Sequence, residues 1–155
     1  NDYLQFAKTQ TKESSSTIDL SNLFKEIQKD LKNGNLTLIN SEKIILTGRA
    51  LSLKRCFENV INNGLTYGKK VYVSLYKSSN RIIINIEDDG PGIPEEQHRN
   101  VFKPFFRLDK SRSLNQSGVG LGLAIVEDVI NSHGGNIQLG VSSLNGLQVK
   151  VSLPF

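Results

Sequence analysis

Methionine is missing from the chain, whose first residue is Asn, so the sequence is expected to be an excised piece of a longer protein. A single cysteine, Cys56, excludes an internal disulfide and fits a reducing, cytoplasmic setting. No apolar run approaches the ~20 residues of a membrane span, so the piece itself is not expected to be membrane-inserted. The polar start, NDYLQFAKTQ, lacks the apolar stretch of a signal peptide. Neither charge sign dominates: a net +4 suits a phosphate-bearing ligand or simply a solvated surface. No recognition helix or aromatic-basic platform emerges, which ranks nucleic-acid binding last. Within these limits, 155 residues that are 37% hydrophobic and 22% charged suffice for one globular domain with a real core.

Tyr3, Leu4, Phe6 and Ala7 read as the tail of an amphipathic helix, and TKESSS (Thr11–Ser16) breaks that pattern as a linker. Residues 1–16 are therefore set apart from a folded unit over 17–155. Asp19 or Ser21 can cap a helix running to about Lys32, with Leu20, Leu23, Ile27 and Leu31 on one stripe. Two short strands, Leu36–Ile39 and Lys43–Leu46, flank a turn at Asn40 and Ser41. A second helix spans Ala50 to Tyr67, its stripe made by Leu53, Phe57, Val60, Ile61 and Gly64.

Val71, Val73 and Leu75 alternate in one strand and Ile82, Ile84 and Ile86 in the next, across a KSSN turn. Glu95–Asn100 reads as a short helix, and Phe102–Ser117 as a functional loop, being too long for a plain connection. A third helix runs from Leu121 to Ser132 and ends at Gly134-Gly135. Ile137–Val141 and Leu147–Leu153 form a hairpin around Asn145-Gly146. The pattern predicts an α+β fold, a two-layer sandwich with a mixed, mostly antiparallel sheet of about five strands, covered on one face by three helices.

Three segments carry chemistry. Asp88 shares parity with Ile82, Ile84 and Ile86, so a strand continuing this far points its carboxylate to the apolar side. That is costly unless donors meet it. The following Asp89-Gly90-Pro91-Gly92-Ile93-Pro94 is a sharp turn whose glycines permit close approach of a ligand. An acceptor-only carboxylate beside Ile93 suits the exocyclic amine of adenine; a solvated Asp ending a strand is the alternative.

On the second helix, Asn59 and Asn63 lie one above the other at the edge of the apolar stripe. They read either as surface residues or as neutral oxygen donors for Mg²⁺. Tyr67, one turn on, offers a ring for stacking. The run Gly118-Val119-Gly120-Leu121-Gly122 precedes the third helix, where backbone N–H groups and the helix dipole favour an anion. It is neither a P-loop nor a dinucleotide fingerprint. Phe102, Phe105 and Phe106 can anchor a loop carrying Lys103, Arg107, Lys110 and Arg112 toward phosphates.

In this order the pieces resemble the N, G1, F and G2 boxes of the histidine kinase catalytic domain. This is a Bergerat-fold domain of the ATPase group shared with gyrase, Hsp90 and MutL. EDDGPGIP, VFKPFFRLD and GVGLGLAIVEDVINSHGG look especially like osmosensor-class membrane kinases. The resemblance implies that Asp88 binds the adenine amine, with Gly90, Gly92 and Ile93 shaping that pocket and Tyr67 flanking the base. It implies that Asn63 and Asn59 hold Mg²⁺, that Arg107 contacts the terminal phosphate, and that Gly118 to Gly122 (with Val119, Gly120 and Leu121) receive the phosphate chain.

The family often has a basic residue where this chain has Thr66, so that phosphate contact is either missing or supplied by Lys103, Lys110 or Arg112. Hydrolytic relatives carry a water-activating glutamate where this chain has Asn59; Glu58 is turned about 100° away from that position. Asn59 and Arg107 are thus the expected catalytic residues of an ATP- and Mg²⁺-dependent phosphoryl transfer. Neither His98 nor His133 has the acidic and proline context of an acceptor histidine.

The implied partners are a dimerisation domain bearing that histidine, with residues 1–16 as the end of its second helix plus linker, and a response regulator. The implied whole is a homodimeric bacterial receptor anchored in the inner membrane, with this domain on the cytoplasmic side. The alternatives are a hydrolysing ATPase of the same fold and a catalytically silent nucleotide-binding module.

Overall fold

The computed structural model describes residues 13–31, 34–40, 42–103 and 122–155. The elements, in order, are β1 (Ser16–Asp19), α1 (Leu20–Asp30), β2 (Leu36–Leu38), β3 (Ile45–Gly48), α2 (Ala50–Tyr67), β4 (Val71–Ser78) and β5 (Arg81–Asp88). Two single-turn 3-10 helices follow (Glu95–Gln97 and Asn100–Phe102), then α3 (Gly122–Ser132), β6 (Asn136–Val141) and β7 (Leu147–Pro154).

The main sheet has the order β2-β4-β5-β7-β6. All of its pairings are antiparallel except β2 with β4, which is parallel. Alternation decides which face is covered. Val71, Val73, Leu75, Ile82, Ile84, Ile86, Leu147, Val149, Val151 and Leu153 are all buried on the helix side. Tyr72, Ser74, Tyr76, Asn85 and Lys150 stand half-exposed on the other. The three helices lie on the first face, giving the expected two-layer α+β sandwich. Leu20, Leu23, Phe24 and Ile27 pack α1 into the core, where Phe24 meets Phe57 of α2 with ring centroids 4.8 Å apart.

Asp19 caps α1 by accepting the Asn22 N–H at 3.2 Å, one of the two caps expected. The helix ends at Asp30, where Leu31 turns extended. Two local expectations fail. The strands either side of Asn40 do not form a hairpin with each other. β2 joins β4 instead (Leu36 opposite Val71, Leu38 opposite Val73), and the Asn40 side chain accepts the Leu75 N–H at 3.0 Å. β3 begins at Ile45 and pairs with β1, a strand not anticipated in Ser16–Asp19, as a separate two-stranded sheet. Period-2 alternation specifies the face a strand buries and not its neighbour. Glu95–Asn100 likewise resolves into 3-10 turns rather than one helix.

Candidate functional site

Asp88 is the last residue of β5 and is only 8% exposed, on the side its parity predicts. Its Oδ1 accepts the Gly90 N–H at 2.9 Å and the Leu147 N–H at 3.1 Å. Oδ2 makes no hydrogen bond to another described residue. Burial pushes the Asp88 carboxyl above the usual carboxylate range, opposed by those two N–H bonds and assisted by the charge of Asp89. One oxygen is thus held fast while the other is available to a donor that is not part of the described chain.

Glycines at three positions make room for this carboxylate and the turn that follows it. A Cβ at Gly146 would overlap the Asp88 carbonyl and Oδ1 and stand 2.7 Å from the Gly90 nitrogen. A Cβ at Gly64, on α2, would lie 2.7 Å from Val71 Cγ2 and 3.1 Å from Asp88 Cβ. At Gly68 it would come within 2.6 Å of Asp89 Oδ1 and 2.7 Å of the Gly90 nitrogen.

Asp89 holds the opposite side of the turn, its Oδ1 accepting the N–H groups of Lys69 at 2.6 Å and Lys70 at 2.9 Å. Gly92 adopts φ +74°, a conformation L side chains rarely take, and Ile93 packs half-buried against the core. None of Gly64, Gly68, Asp89 or Gly146 was singled out as a site residue from sequence. The one usable signal was Gly64, an isolated glycine on an otherwise apolar helical stripe.

The C-terminal end of α2 abuts this turn, so the first two predicted segments do converge. The Tyr67 carbonyl lies where a Cβ on Gly90 would come within 3.0 Å of it, and the Tyr67 side chain is exposed. Asn59 and Asn63 are half-buried on adjacent turns of α2, and their amides make no hydrogen bond to another described residue. Thr66 donates its hydroxyl to the Asn62 carbonyl at 2.8 Å, tying it back to its own helix. Of the third segment, Gly122 opens α3 with open space around it. Gly118, Val119, Gly120, Leu121, Arg107, Lys110 and Arg112 lie outside the described residues.

Neither histidine is unusual in its contacts. His98 Nε2 donates to the Ile93 carbonyl at 2.9 Å, and His133 is held between Arg49 and Val129. Cys56 is fully buried, and burial pushes its thiol far up, as befits a core residue. A groove of about 700 Å³ lined by His98, Arg99, Phe102, Lys103, Glu127, Ile137, Gln138 and Leu139 includes Lys103, a candidate phosphate contact, but none of Asn59, Asn63, Tyr67, Asp88, Gly90, Gly92 or Ile93.

The family described as histidine kinase-, DNA gyrase B-, and HSP90-like ATPase matches residues 48–155. The sensor histidine kinase GtrS of Pseudomonas aeruginosa is 33% identical over 147 residues, covering 94% of this chain and 30% of that protein. CpxA of Escherichia coli is 38% identical over 110 residues, covering 70% of this chain and 24% of that protein. The chain thus spans less than a third of the length of these curated relatives.

Among solved structures, the histidine kinase domain of the E. coli osmosensor EnvZ superposes with a TM-score of 0.67 at 34% identity, over 90% of this chain and 88% of that one. The mycobacterial sensor histidine kinase MprB superposes at 0.76 with 25% identity, over 91% and 97%. The chain therefore belongs to the histidine kinase-, DNA gyrase B- and HSP90-like ATPase family, and within it to the ATP-binding domains of bacterial sensor histidine kinases.

Proposed function

We propose that this domain binds Mg-ATP and passes the γ-phosphate to a histidine on a separate dimerisation domain, for relay to a response regulator. The observation that carries the reading is the buried Asp88 carboxylate, with Oδ1 held by two N–H groups and Oδ2 left over. An adenine amine supplies the donor such an oxygen lacks, and burial makes that bond worth more than it would be in water. Gly90, Gly92 and Ile93 shape the space around the base, and Tyr67 flanks it.

Asn59 and Asn63 fit the metal. They are neutral oxygen donors one turn apart, and Mg²⁺ takes few protein ligands when phosphates and waters supply the rest. Among the described residues no cluster of three His, Cys, Asp or Glu offers another kind of site. When bound, the ion neutralises charge on the phosphate oxygens. Arg107 contacts the terminal phosphate, and Gly118 to Gly122 receive the phosphate chain at the start of α3.

With Asn59 where hydrolytic relatives have glutamate, no base on α2 is aimed to activate water, which favours transfer to a protein acceptor. The back-bonded Thr66 leaves Lys103, Lys110 or Arg112 to supply a further phosphate contact. In the whole receptor the domain is placed on the cytoplasmic side of the membrane, in a homodimer. Among the described residues no helix is long and apolar enough to cross a membrane.

Calorimetric titration of ATP with and without Mg²⁺ tests this reading. Asp88→Ala is expected to weaken binding at least about tenfold under both conditions, as loss of a bond to a charged group implies. Asn63→Ala is expected mainly to abolish the Mg²⁺ dependence. Radiolabelling from ATP should mark an added dimerisation domain and leave the chain itself unlabelled; label on His98 or His133 would refute the assignment.

A further inference from the structure

At the end of α2 away from Asp88, the Glu13 carboxylate lies across the first helical turn. Its Oε2 accepts the Leu51 N–H at 2.6 Å; its Oε1 accepts the Ser52 N–H at 2.9 Å and the Ser52 hydroxyl at 2.8 Å. Helices usually take such a cap from their own N-cap residue. Here that residue is Arg49, which has no side-chain bond to the helix end. Its guanidinium donates instead to the Ser132 hydroxyl, and its backbone N–H donates to His133 Nε2 at 3.0 Å.

The cap therefore comes from a residue 38 positions upstream. Three residues after Glu13, β1 begins and pairs with β3, which runs directly into Arg49. The entry segment, the start of α2 and the end of α3 thus meet at one joint. The joint is tight: a Cβ at Gly48 would stand 2.9 Å from His133 Cδ2. Burial alone would push the Glu13 carboxyl up, but the bonds from Leu51 and Ser52, together with the nearby Arg49 charge, hold it below its ordinary value. Such charge-assisted bonds are the stronger class.

We propose that Glu13 is a latch that, by closing the first turn of α2, pins the entry segment at residues 13–15 to the start of that helix. α2 has 18 residues, about 27 Å at the helical rise, so the latch and the Asp88 pocket sit at opposite ends of one rigid rod. Its setting controls how the pocket is presented to whatever the preceding chain carries, without altering the pocket itself. The latch stands on geometry independent of the phosphoryl-transfer reading; only the ATP control below rests on that reading.

The test uses this chain with a nitroxide on Ser14→Cys, Cys56 being fully buried. Three forms are compared: Glu13 intact, Glu13→Ala, and Glu13→Ala combined with Leu51→Glu. Leu51 is 49% exposed, so a glutamate there puts a carboxylate at the start of α2 without involving the entry segment. In Glu13→Ala the Leu51 and Ser52 amides should exchange at least about tenfold faster and the nitroxide should become more mobile.

In the double variant the amide protection should return while the label stays mobile, and ATP affinity should change less than about twofold throughout. The latch is overturned if the label stays immobile in Glu13→Ala, since β1 pairing alone would then hold the segment. It is overturned equally if the double variant restores both readouts, because Glu13 would be only a helix cap. A parallel loss of ATP affinity, with the intact form still binding, would likewise overturn it by showing an effect on the pocket. An intact form that binds no ATP would instead count against the nucleotide reading, leaving exchange and label mobility to decide the latch.

Discussion

A carboxylate from elsewhere in the chain lies near each end of α2, and the two are used differently. Glu13 meets three donors with both oxygens. Asp88 meets two donors with one oxygen and leaves the other over. The Glu13 carboxyl is held below its usual value and the Asp88 carboxyl is pushed above. A saturated carboxylate consolidates the fold. The second oxygen of Asp88 is not among the buried atoms without a partner, so it stays open to a ligand donor.

The strongest way to break this contrast is to fill the space beside Asp88. Gly146→Ala places a methyl on the Asp88 backbone and Oδ1, where no flexible side chain can give way. A loss of about 3 kcal/mol in chemical denaturation is expected, at the upper end for overpacking, together with loss of ATP binding. A variant as stable as the parent would show that the hairpin shifts freely and does not hold the carboxylate.

Next in size, and sharper, is Asp88→Asn. Oδ1 can still accept from Gly90 and Leu147, so the new NH₂ must occupy the Oδ2 position and face the adenine amine, donor against donor. ATP affinity should fall by at least about tenfold, yet the fold should be no less stable at neutral pH. The sign follows from the raised value. Protonated Asp88 is favoured in the folded state, so the parent loses stability as pH rises from 3.8 through the folded value. Denaturation at several pH values should show that fall in the parent and not in the variant.

Gly64→Ala should have a smaller effect because two terms oppose. Alanine gains about 1 kcal/mol in helix propensity, while its methyl meets Val71 Cγ2 at 2.7 Å and crowds Asp88 Cβ at 3.1 Å. A net loss of about 1 kcal/mol with weakened ATP binding is expected from thermal melts and calorimetry. A gain in stability would mean that β4 yields and that the glycine is not needed for the carboxylate.

How much of this was legible in the chain depends on distance along it. α2 could be bounded at Ala50 and Tyr67 because its apolar stripe is long. The inward turn of Asp88 followed from two-residue parity, a local rule that tertiary contacts did not override. The partners of β2 and β3 were not legible, since alternation is silent about neighbours. Nor was the glycine cradle: Gly146 reads as a turn residue, and only the fold shows that the turn sits on Asp88, 58 positions earlier by numbering. Glu13 looked like part of a polar linker because its donors, Leu51 and Ser52, are ordinary helix residues until α2 starts where it does.

The smallest expected effect belongs to the latch end. His133 Nδ1 donates to the Val129 carbonyl at 2.8 Å, and Nε2 accepts from the Arg49 N–H, so the ring must be neutral. Burial lowers its pKa; the Val129 bond opposes that, the Arg49 charge adds to it and the Glu13 charge opposes it. The folded value lies below the unfolded 6.5, so the contribution is complete above 6.5 and is lost as pH falls toward the folded value. An added proton on Nε2 would face the Arg49 N–H and displace the N-cap residue of α2. Under about 1 kcal/mol is expected, seen as a stability slope below pH 6.5 that His133→Ala abolishes. NMR titration should place the ring below its ordinary value, and the Leu51 and Ser52 amides should lose protection in step with it. A ring titrating above 6.5 would mean that Glu13, rather than burial, sets its charge, and that the two ends of α2 differ less than their geometry implies.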